Sequence, residues 1–297
     1  MDSKSSQTVL LSYFQKASHT VPAFLNSNIS FSETAYFPVT VALLIHSLRV
    51  AYDLKKTFFI KGRMSLWQEA VVMMVYSFGG SAVAALLLGL PQPWLESNLL
   101  LPMNFLVYWS VAFMPGDLLF NFLQSFGPYT DLVLSTLDGL VKGYSISTGG
   151  VDLVKYKLKD SAISSSLVAM LVIGAITGHG GGLVADIFSL QSTNWRFQSP
   201  SIFNAVPLDF KASILSTVVY ILTARLWTFS SAVPNFPLSE YLDNILFAFI
   251  PKLTNYEAKL VVGSICASLL GFKAFNDSRR FFDVLKAKKA SKKVKKN

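Results

Sequence analysis

The chain has 297 residues, of which 52% are apolar and only 14% are charged, and its mean hydropathy is +0.45. Average soluble domains carry about a quarter charged residues, so this composition excludes a disordered protein and argues against a soluble enzyme. The net charge of +9 is concentrated in residues 273–297, which hold ten basic and two acidic side chains. A single cysteine, Cys266, excludes a disulfide framework and a cysteine-based zinc site.

Residues 1–35 are polar and contain no compact apolar core with a small-residue cleavage site, which a signal peptide would have. We predict that they form an N-terminal segment outside the bilayer. A membrane domain follows at residues 36–275, with seven apolar stretches of about 20 residues, the length that crosses a bilayer core of roughly 30 Å. These stretches lie at residues 36–54, 64–90, 99–124, 130–148, 161–190, 210–230 and 256–275.

The fourth stretch is the least hydrophobic because it carries Asp131, Asp138 and Lys142, and a helix on the membrane surface is the alternative interpretation. We predict a span, since the rest of the stretch is almost wholly apolar. Residues 231–255 are interrupted by prolines and are too short to cross, so they predict an interfacial helix. Residues 276–297 form a basic tail.

Lysine and arginine residues in short loops favour the cytosolic side. The basic residues of the first loop are Lys55, Lys56, Lys61 and Arg63. The second loop, at residues 91–98, has none, so seven spans predict a luminal or extracellular N-terminus and a cytosolic tail. Three lysines fall on the predicted outer side and conflict with this orientation: Lys155, Lys157 and Lys159.

Glycine clusters occur within the second and fifth spans. They comprise Gly79 and Gly80 in the second span, and Gly178, Gly180, Gly181 and Gly182 in the fifth. One interpretation is close helix packing at small residues. The other, which we favour, is a break in each helix that lines a water-filled path. Interruptions three helices apart are typical of inverted-repeat transport folds. The sequence thus predicts an all-α membrane protein of seven transmembrane helices, a 3+3 inverted repeat plus one, with kinked glycine-rich helices two and five.

Polar side chains form stripes on two further spans. The stripe of the fourth span consists of Asp131, Ser135, Asp138 and Lys142, which share one helical face. The stripe of the sixth span includes Ser213 and Thr217. Ionisable groups at membrane depth usually face the bundle interior or a water-filled cavity. Asp138 and Lys142 can neutralise each other as an i,i+4 pair, but a wet path that favours cations explains more of the pattern.

The third span contains Met114-Pro115-Gly116-Asp117, where proline removes a backbone donor and kinks the helix. A helix end capped by Asp117 is the alternative. The chain contains no GxSxG, HExxH or P-loop motif and no arrangement of paired carboxylates suited to catalysis. We therefore predict neither catalytic residues nor a metal site.

Four segments match a known family in order and spacing over residues 36–275. Residues 78–91 read FGGSAVAALLLGLP, and residues 114–118 read MPGDL. Further along, residues 174–181 read GAITGHGG and residues 211–213 read KAS. These segments resemble the second helix, the Cys-Pro-x-Asp-Leu segment, the fifth helix and the start of the sixth helix of TRIC channels, the trimeric intracellular cation channels.

The resemblance implies a homotrimer of seven-helix subunits, each with its own pore, in the endoplasmic or sarcoplasmic reticulum membrane. It implies a flux of monovalent cations, mainly potassium, that balances charge during calcium release and so serves calcium homeostasis. It also implies bound phosphatidylinositol 4,5-bisphosphate at a basic motif in the fourth helix, and no other cofactor. The implied partners are therefore further copies of the chain and membrane lipids, including anionic phosphoinositides, and not nucleic acid.

The basic motif departs from the family pattern, which points to a divergent, invertebrate-like member. Vertebrate members carry Lys-Glu-Val with an arginine four residues after the lysine, whereas this chain reads Lys142-Gly143-Tyr144 and has Ile146 at the arginine position. We assign Lys142 and Gly143 to lipid binding, although a second alignment along this helix stays open. The residues predicted to line the pore or kink its helices are Gly79, Gly80, Gly178, Gly180, Gly181, Gly182, Asp138, Ser213 and Thr217.

Two other functions compete with a cation channel. A secondary transporter of a small solute uses similar interrupted helices around a closed site at the bilayer midplane. A seven-helix receptor is disfavoured because the third span does not end in Asp-Arg-Tyr and the seventh lacks Asn-Pro-x-x-Tyr.

The last residues of the tail match a retrieval signal of membrane proteins. Lys293 and Lys295 stand fifth and third from the end of the sequence. This spacing matches the dilysine signal that returns membrane proteins to the reticulum. Binding of the basic tail to anionic lipid is the alternative interpretation.

Overall fold

The computed structural model describes residues 3–30, 36–61, 64–232 and 236–294, and these ranges are almost entirely helical. The α-helices are α1 (Ser3–Asn26), α2 (Val41–Lys61), α3 (Leu66–Leu87), α4 (Leu100–Phe113), α5 (Leu118–Ser125), α6 (Pro128–Ser145), α7 (Leu167–Ile187), α8 (Leu208–Thr223), α9 (Phe229–Ala232), α10 (Ser239–Phe247) and α11 (Asn255–Val294). Two short strands, β1 (Asn28–Ser30) and β2 (Tyr36–Thr40), pair antiparallel between α1 and α2. Apart from this small ribbon, the predicted all-helical class is confirmed.

In the described part of the chain, three helices are long and apolar enough to cross a bilayer, namely α3, α7 and the Asn255–Phe282 part of α11. The number rises to four if α4 and α5, a bent pair, count as one span. The other predicted spans correspond to α2, α6 and α8. Helices α2 and α6 carry several charged side chains, and α8 has only 16 residues. Length and composition alone therefore do not confirm seven crossings or an inverted repeat.

Two predicted spans have different bounds in the structure. The first, predicted at residues 36–54, begins with β2, and its helix α2 continues to Lys61. The sixth, predicted at residues 210–230, ends at Thr223, because Arg225 has left-handed backbone with a φ of +54°. Left-handed backbone at this position ends an α-helix.

The lysines predicted to begin the first loop lie inside α2, so that part of the prediction is wrong. Lys55 is only 8% exposed, and its Nζ donates hydrogen bonds to the Ala112 carbonyl at 2.7 Å and to the Asp117 carboxylate at 2.8 Å. Such pairing allows a lysine to lie within a membrane bundle. The side chain of Lys61 and all of Arg63 lie outside the described residues.

Helices α3 and α7 pack against each other through their glycines, and both helices run without interruption. A Cβ atom on Gly80 would lie 2.5 Å from the Thr177 carbonyl oxygen, and one on Gly181 would lie 2.7 Å from the Val75 carbonyl oxygen. The backbone of each helix thus occupies the space that a side chain on the other would need. The predicted breaks in helices two and five are wrong, and close packing at small residues is what the structure has.

The third predicted span is broken at its proline, as predicted. Helix α4 ends at Phe113, one 3-10 turn covers Pro115–Asp117, and α5 then runs at 79° to α4. Gly116 adopts a φ of +68°, a conformation that glycine reaches without steric cost. Asp117 makes no capping hydrogen bond to α5, so the alternative of a capped helix end does not hold.

Helices α6 and α11 also meet through small residues. A Cβ atom on Gly143 would lie 2.5 Å from the Cα atom of Gly263, and one on Gly139 would lie 2.5 Å from the Cα atom of Ala267. Gly143 therefore faces the backbone of α11, and its role in lipid binding stays a prediction.

The segment between α8 and α11 is anchored by polar contacts. The Arg225 guanidinium stacks on the Phe247 ring at 3.6 Å and donates to the Ile250 carbonyl at 2.6 Å. Burial raises the pKa of Asp243, but hydrogen bonds from Ser230 and from the Phe229 N–H outweigh it and hold this pKa below its usual range. An exposed apolar row on and beside α10 comprises Leu238, Tyr241, Ile245 and Phe249. The interfacial location of this segment stays a prediction.

The seventh span and the tail form one helix. Helix α11 has 40 residues, which at about 1.5 Å per residue is roughly 60 Å, about twice the hydrocarbon core of a bilayer. The predicted boundary at residue 276 is therefore not a structural boundary. Residues 295–297, and with them Lys295, lie outside the described part.

Candidate functional site

A cavity of about 800 Å³ lies among α2, α3, α6, α7 and α11. Helix α6 lines it from Asp131 to Ser145, a length of about 20 Å at a rise of about 1.5 Å per residue. The cavity therefore follows the helices over much of the thickness of a bilayer core.

The polar stripe predicted on α6 lines this cavity. Its four members Asp131, Ser135, Asp138 and Lys142 all belong to the lining. Helix α2 contributes a second stripe, which is not among the predicted ones: His46, Arg49, Asp53 and Lys56. Their spacing of i, i+3, i+7 and i+10 is that of one helical face, so the sequence contained the signal that identifies it.

One end of the cavity is held by a network around Asp131, which is 2% exposed. Its two carboxylate oxygens accept hydrogen bonds from Lys56 Nζ, each at 2.9 Å, and one also accepts from Ser278 Oγ at 2.7 Å. Arg49 lies 3.8 Å away and forms a closer ion pair with Asp53. The network connects α2, α6 and α11.

Near the middle of the cavity, Asp138 contacts α2 rather than Lys142. His46 Nδ1 lies 2.6 Å from Asp138 Oδ1, and His46 Nε2 lies 3.2 Å from the Ser77 carbonyl oxygen of α3. The alternative in which Asp138 is the ion-pair partner of Lys142 is therefore not found. Among the residues that the structure describes, Lys142 Nζ makes no hydrogen bond or ion pair, and it shares the lining with His179, Asp209 and Lys273.

The predicted pore and kink residues that line the cavity are Gly80, Gly178, Gly181 and Gly182, together with Asp138. Of these, Gly80, Gly178 and Gly181 also lie in close helix contacts. The predicted residues found only in helix contacts are Gly79, Gly180, Ser213 and Thr217. Thr217 fills the space next to Gly174, and Ser213 fills the space next to Gly178.

The hydroxyl stripe of α8 is satisfied within the protein. Ser213 and Thr217 are fully buried, and each hydroxyl donates to a carbonyl one turn back in α8. The Tyr220 hydroxyl donates to the Asp152 carboxylate at 2.8 Å. These groups serve the packing of α8, because a hydroxyl bonded to its own helix is compatible with an apolar contact. The predicted wet path along α8 is not found.

A second cavity of about 720 Å³ adjoins the first. The two share the lining residues Tyr76, His179, Gly182, Gln191 and Asp209. The second cavity extends towards the loop that follows α7 and includes Arg196 in its lining. Polar space thus continues from the middle of the helices to one end of the bundle.

The charges that line the first cavity nearly cancel. Four cationic side chains, Arg49, Lys56, Lys142 and Lys273, face five carboxylates. The carboxylates are Asp53, Asp131, Asp138, Asp209 and Asp277. In the described part of the chain, no three histidine, cysteine, aspartate or glutamate side chains are grouped to hold a metal ion. The arrangement suits a hydrated path for small ions, since charged groups at membrane depth need water or one another.

Comparison with known proteins identifies relatives over most of the chain. The family profile described as TRIC channel matches residues 56–249. The trimeric intracellular cation channel type B-A of Xenopus laevis is 24% identical over 249 residues, which cover 74% of this chain and 84% of that protein. The type B channel of Danio rerio is 26% identical over 150 residues, half of this chain and 49% of that protein.

Two solved structures share the fold. The one described as "Structural basis for activity of TRIC counter-ion channels in calcium release" has a TM-score of 0.60 and 17% identity, and the match covers 80% of this chain and 93% of that one. A trimeric intracellular cation channel from C. elegans, in the absence of Ca2+, has a TM-score of 0.54 and 16% identity, with 87% and 94% covered.

Proposed function

Because the chain belongs to the TRIC channel family, which consists of channels and not of enzymes, we propose that it conducts monovalent cations, mainly potassium, through the cavity lined by α2 and α6. The observation that carries the proposal is the pair of charged stripes facing each other across this cavity. Ionisable side chains inside a membrane bundle mark ion pathways. Carboxylates and hydroxyl or carbonyl dipoles along a path favour cations.

The proposed subunit crosses the membrane seven times, as a 3+3 inverted repeat plus one. The crossings are α2, α3, the bent pair α4 and α5, α6, α7, α8 and α11. The charges of α2 and α6 support this assignment because they face one another or the cavity rather than lipid. Three such subunits form the proposed homotrimer, with one pore in each, and the relatives are named as trimeric channels.

The proposed location is the endoplasmic or sarcoplasmic reticulum membrane, with a luminal N-terminus and a cytosolic tail. There the flux of potassium would supply counter-ions during calcium release, as one structural relative is described. The basic residues of the tail support this orientation.

Conduction is tested with the purified protein in a planar bilayer in potassium salt. We expect unitary current steps. Ser145→Cys places a thiol in the cavity lining, so a charged thiol reagent should block its current, whereas Ser268→Cys on the exposed face of α11 is the matched control and should be unaffected. Saturable flux of a small solute without current steps would instead favour a secondary transporter, and equal block of both variants would place the path elsewhere.

Regulation by phosphatidylinositol 4,5-bisphosphate is proposed to act through Lys142. The support is that Lys142 lines the cavity without an ion-pair partner among the described residues, while Asp138 is bound by His46. A lysine binds phosphate as a point charge and does not demand planar geometry. Gly143 is left out of this proposal because it packs on Gly263.

Lys142→Ala is expected to reduce retention of this lipid by the purified protein several-fold, because the ammonium group that would neutralise a phosphate is lost. Native mass spectrometry with added lipid measures the bound fraction. Lys157→Ala, an exposed lysine away from the cavity, is the matched control and should retain the lipid. Undiminished retention by Lys142→Ala would refute the assignment.

A further inference from the structure

Both ring nitrogens of His46 face hydrogen-bond acceptors. Nε2 lies 3.2 Å from the Ser77 carbonyl oxygen, and Nδ1 lies 2.6 Å from Asp138 Oδ1. A carbonyl oxygen only accepts, so the hydrogen bond to Ser77 requires a hydrogen on Nε2. A neutral imidazole has only one N–H, and this one is then committed to Ser77.

The contact with Asp138 therefore requires a second proton. Without one, the Nδ1 lone pair and an ionised carboxylate oxygen would face each other at 2.6 Å, which is repulsive. With one, either His46 is an imidazolium that donates to an ionised Asp138, or a protonated Asp138 donates to Nδ1. In both cases the pair holds one proton more than a neutral histidine beside a free carboxylate.

We propose that His46 and Asp138 form a proton-binding site in the conduction path, which holds one shared proton at neutral pH and takes up a second on acidification. This inference rests on the proposed function only for its effect on current. The binding of the proton itself follows from the hydrogen-bond geometry.

The charged and titratable groups around the pair come from the helices that line the cavity. They are Arg49, Asp53 and Lys56 on α2, Tyr76 on α3, Asp131 and Lys142 on α6, His179 on α7, Asp209 on α8, and Lys273 and Asp277 on α11. Helix α3 contributes no ionic charge and contacts His46 through the Ser77 carbonyl. With His179 neutral, the four cations and the shared proton together balance the five carboxylates of the lining. Loss of that proton makes the lining negative by one charge, and a second proton makes it positive by one.

A single proton therefore changes the sign of the charge along the path. A positive lining repels cations, and at an effective dielectric of about 20 a unit charge roughly 10 Å from an ion changes the occupancy of that ion on the order of tenfold. We expect the potassium current to fall on the order of tenfold as the bath is acidified from neutral pH and the pair takes up its second proton.

The proton itself is measured by nitrogen-15 NMR of histidine-labelled protein in lipid nanodiscs, combined with infrared absorption of protonated carboxyl groups. The chain has only three histidines, so His46→Gln assigns the signal. At neutral pH we expect either protons on both ring nitrogens of His46 or a protonated carboxyl that is absent from Asp138→Asn. A neutral His46 with a single N–H on either nitrogen, together with an ionised Asp138, would overturn the inference.

The effect on current is measured with the double variant His46→Gln, Asp138→Asn, which retains polar groups of similar size but has no group that titrates. Its current should be flat over the same pH range. His19→Gln is the matched control, because His19 stacks on Tyr256 outside the cavity, and it should show the wild-type fall.

The possible failures are distinguishable. A wild-type fall that persists in the double variant would overturn the inference and leave the channel function intact. Absence of current from the wild type at every pH would refute the proposed function. The spectroscopic result alone would then decide whether the proton site exists. If only the double variant fails to conduct, the spectra of the single variants decide whether the pair binds the shared proton.

Discussion

Gly80→Leu is expected to separate α3 from α7 and to destabilise the protein by on the order of 3 kcal/mol or more. A Cβ atom at this position would lie 2.5 Å from the Thr177 carbonyl oxygen and 2.9 Å from that of Ile176. Both are backbone atoms of a continuous helix, so they cannot rotate away. Overpacking at such a contact typically costs roughly 1–3 kcal/mol and occasionally more. The midpoint of thermal unfolding in detergent measures the effect.

Gly149→Ala is the matched control for this steric argument. A Cβ atom on Gly149 would meet only the Thr177 methyl group, at an ordinary 3.8 Å, so this variant should unfold close to the wild-type temperature. If Gly80→Leu also unfolds there while its current is reduced, the glycines act in the path and not in packing. Equal destabilisation by both variants would show that position along the contact is unimportant.

Asp131→Ala is expected to cost about 3–5 kcal/mol, because it removes one partner of a buried charged network. Lys56 would lose both of its carboxylate contacts and Ser278 would lose its acceptor. Arg49 would keep only its pair with Asp53. Chemical or thermal unfolding in detergent measures the loss.

Two further variants separate the network from a general effect of removing a carboxylate. Asp160→Ala removes an exposed carboxylate and should change stability by less than about 0.5 kcal/mol. The double variant Lys56→Met, Asp131→Leu removes both charges, so it should recover part of the loss. A double variant as unstable as Asp131→Ala, or a stable Asp131→Ala, would contradict the role given to the network.

Local patterns were sufficient for several features of this protein. The stripe from Asp131 to Lys142 depends only on the period of an α-helix, and the structure turns all four of its members towards one cavity. The kink at Pro115 is predictable from the residue type alone, because proline lacks a backbone donor and its ring clashes with the preceding turn of a helix. The stripe that begins at His46 was equally readable, but the lysines that follow it look like the start of a basic loop when their partners are unknown.

The roles of the glycines required the tertiary structure. A glycine on a helix admits either a break or a close neighbour, and the choice depends on which backbone lies opposite. For Gly80 it is α7, and for Gly143 it is α11. Three consecutive glycines on α7 favour a break when the sequence is considered alone, because one close helix contact needs fewer. In the structure, Gly180 and Gly181 pack on α3, and Gly181 and Gly182 line the cavity.

The sequence by itself determined that this chain is a helical membrane protein of the TRIC family, because apolar length and motif order are properties of the chain as written. Only the tertiary structure decided which charges meet. Asp138 has Lys142 one turn away on its own helix, yet it binds His46, which lies 92 positions earlier. Helical spacing gives the face on which a side chain lies, whereas a buried charge pairs with whatever donor the opposite helix presents at that depth.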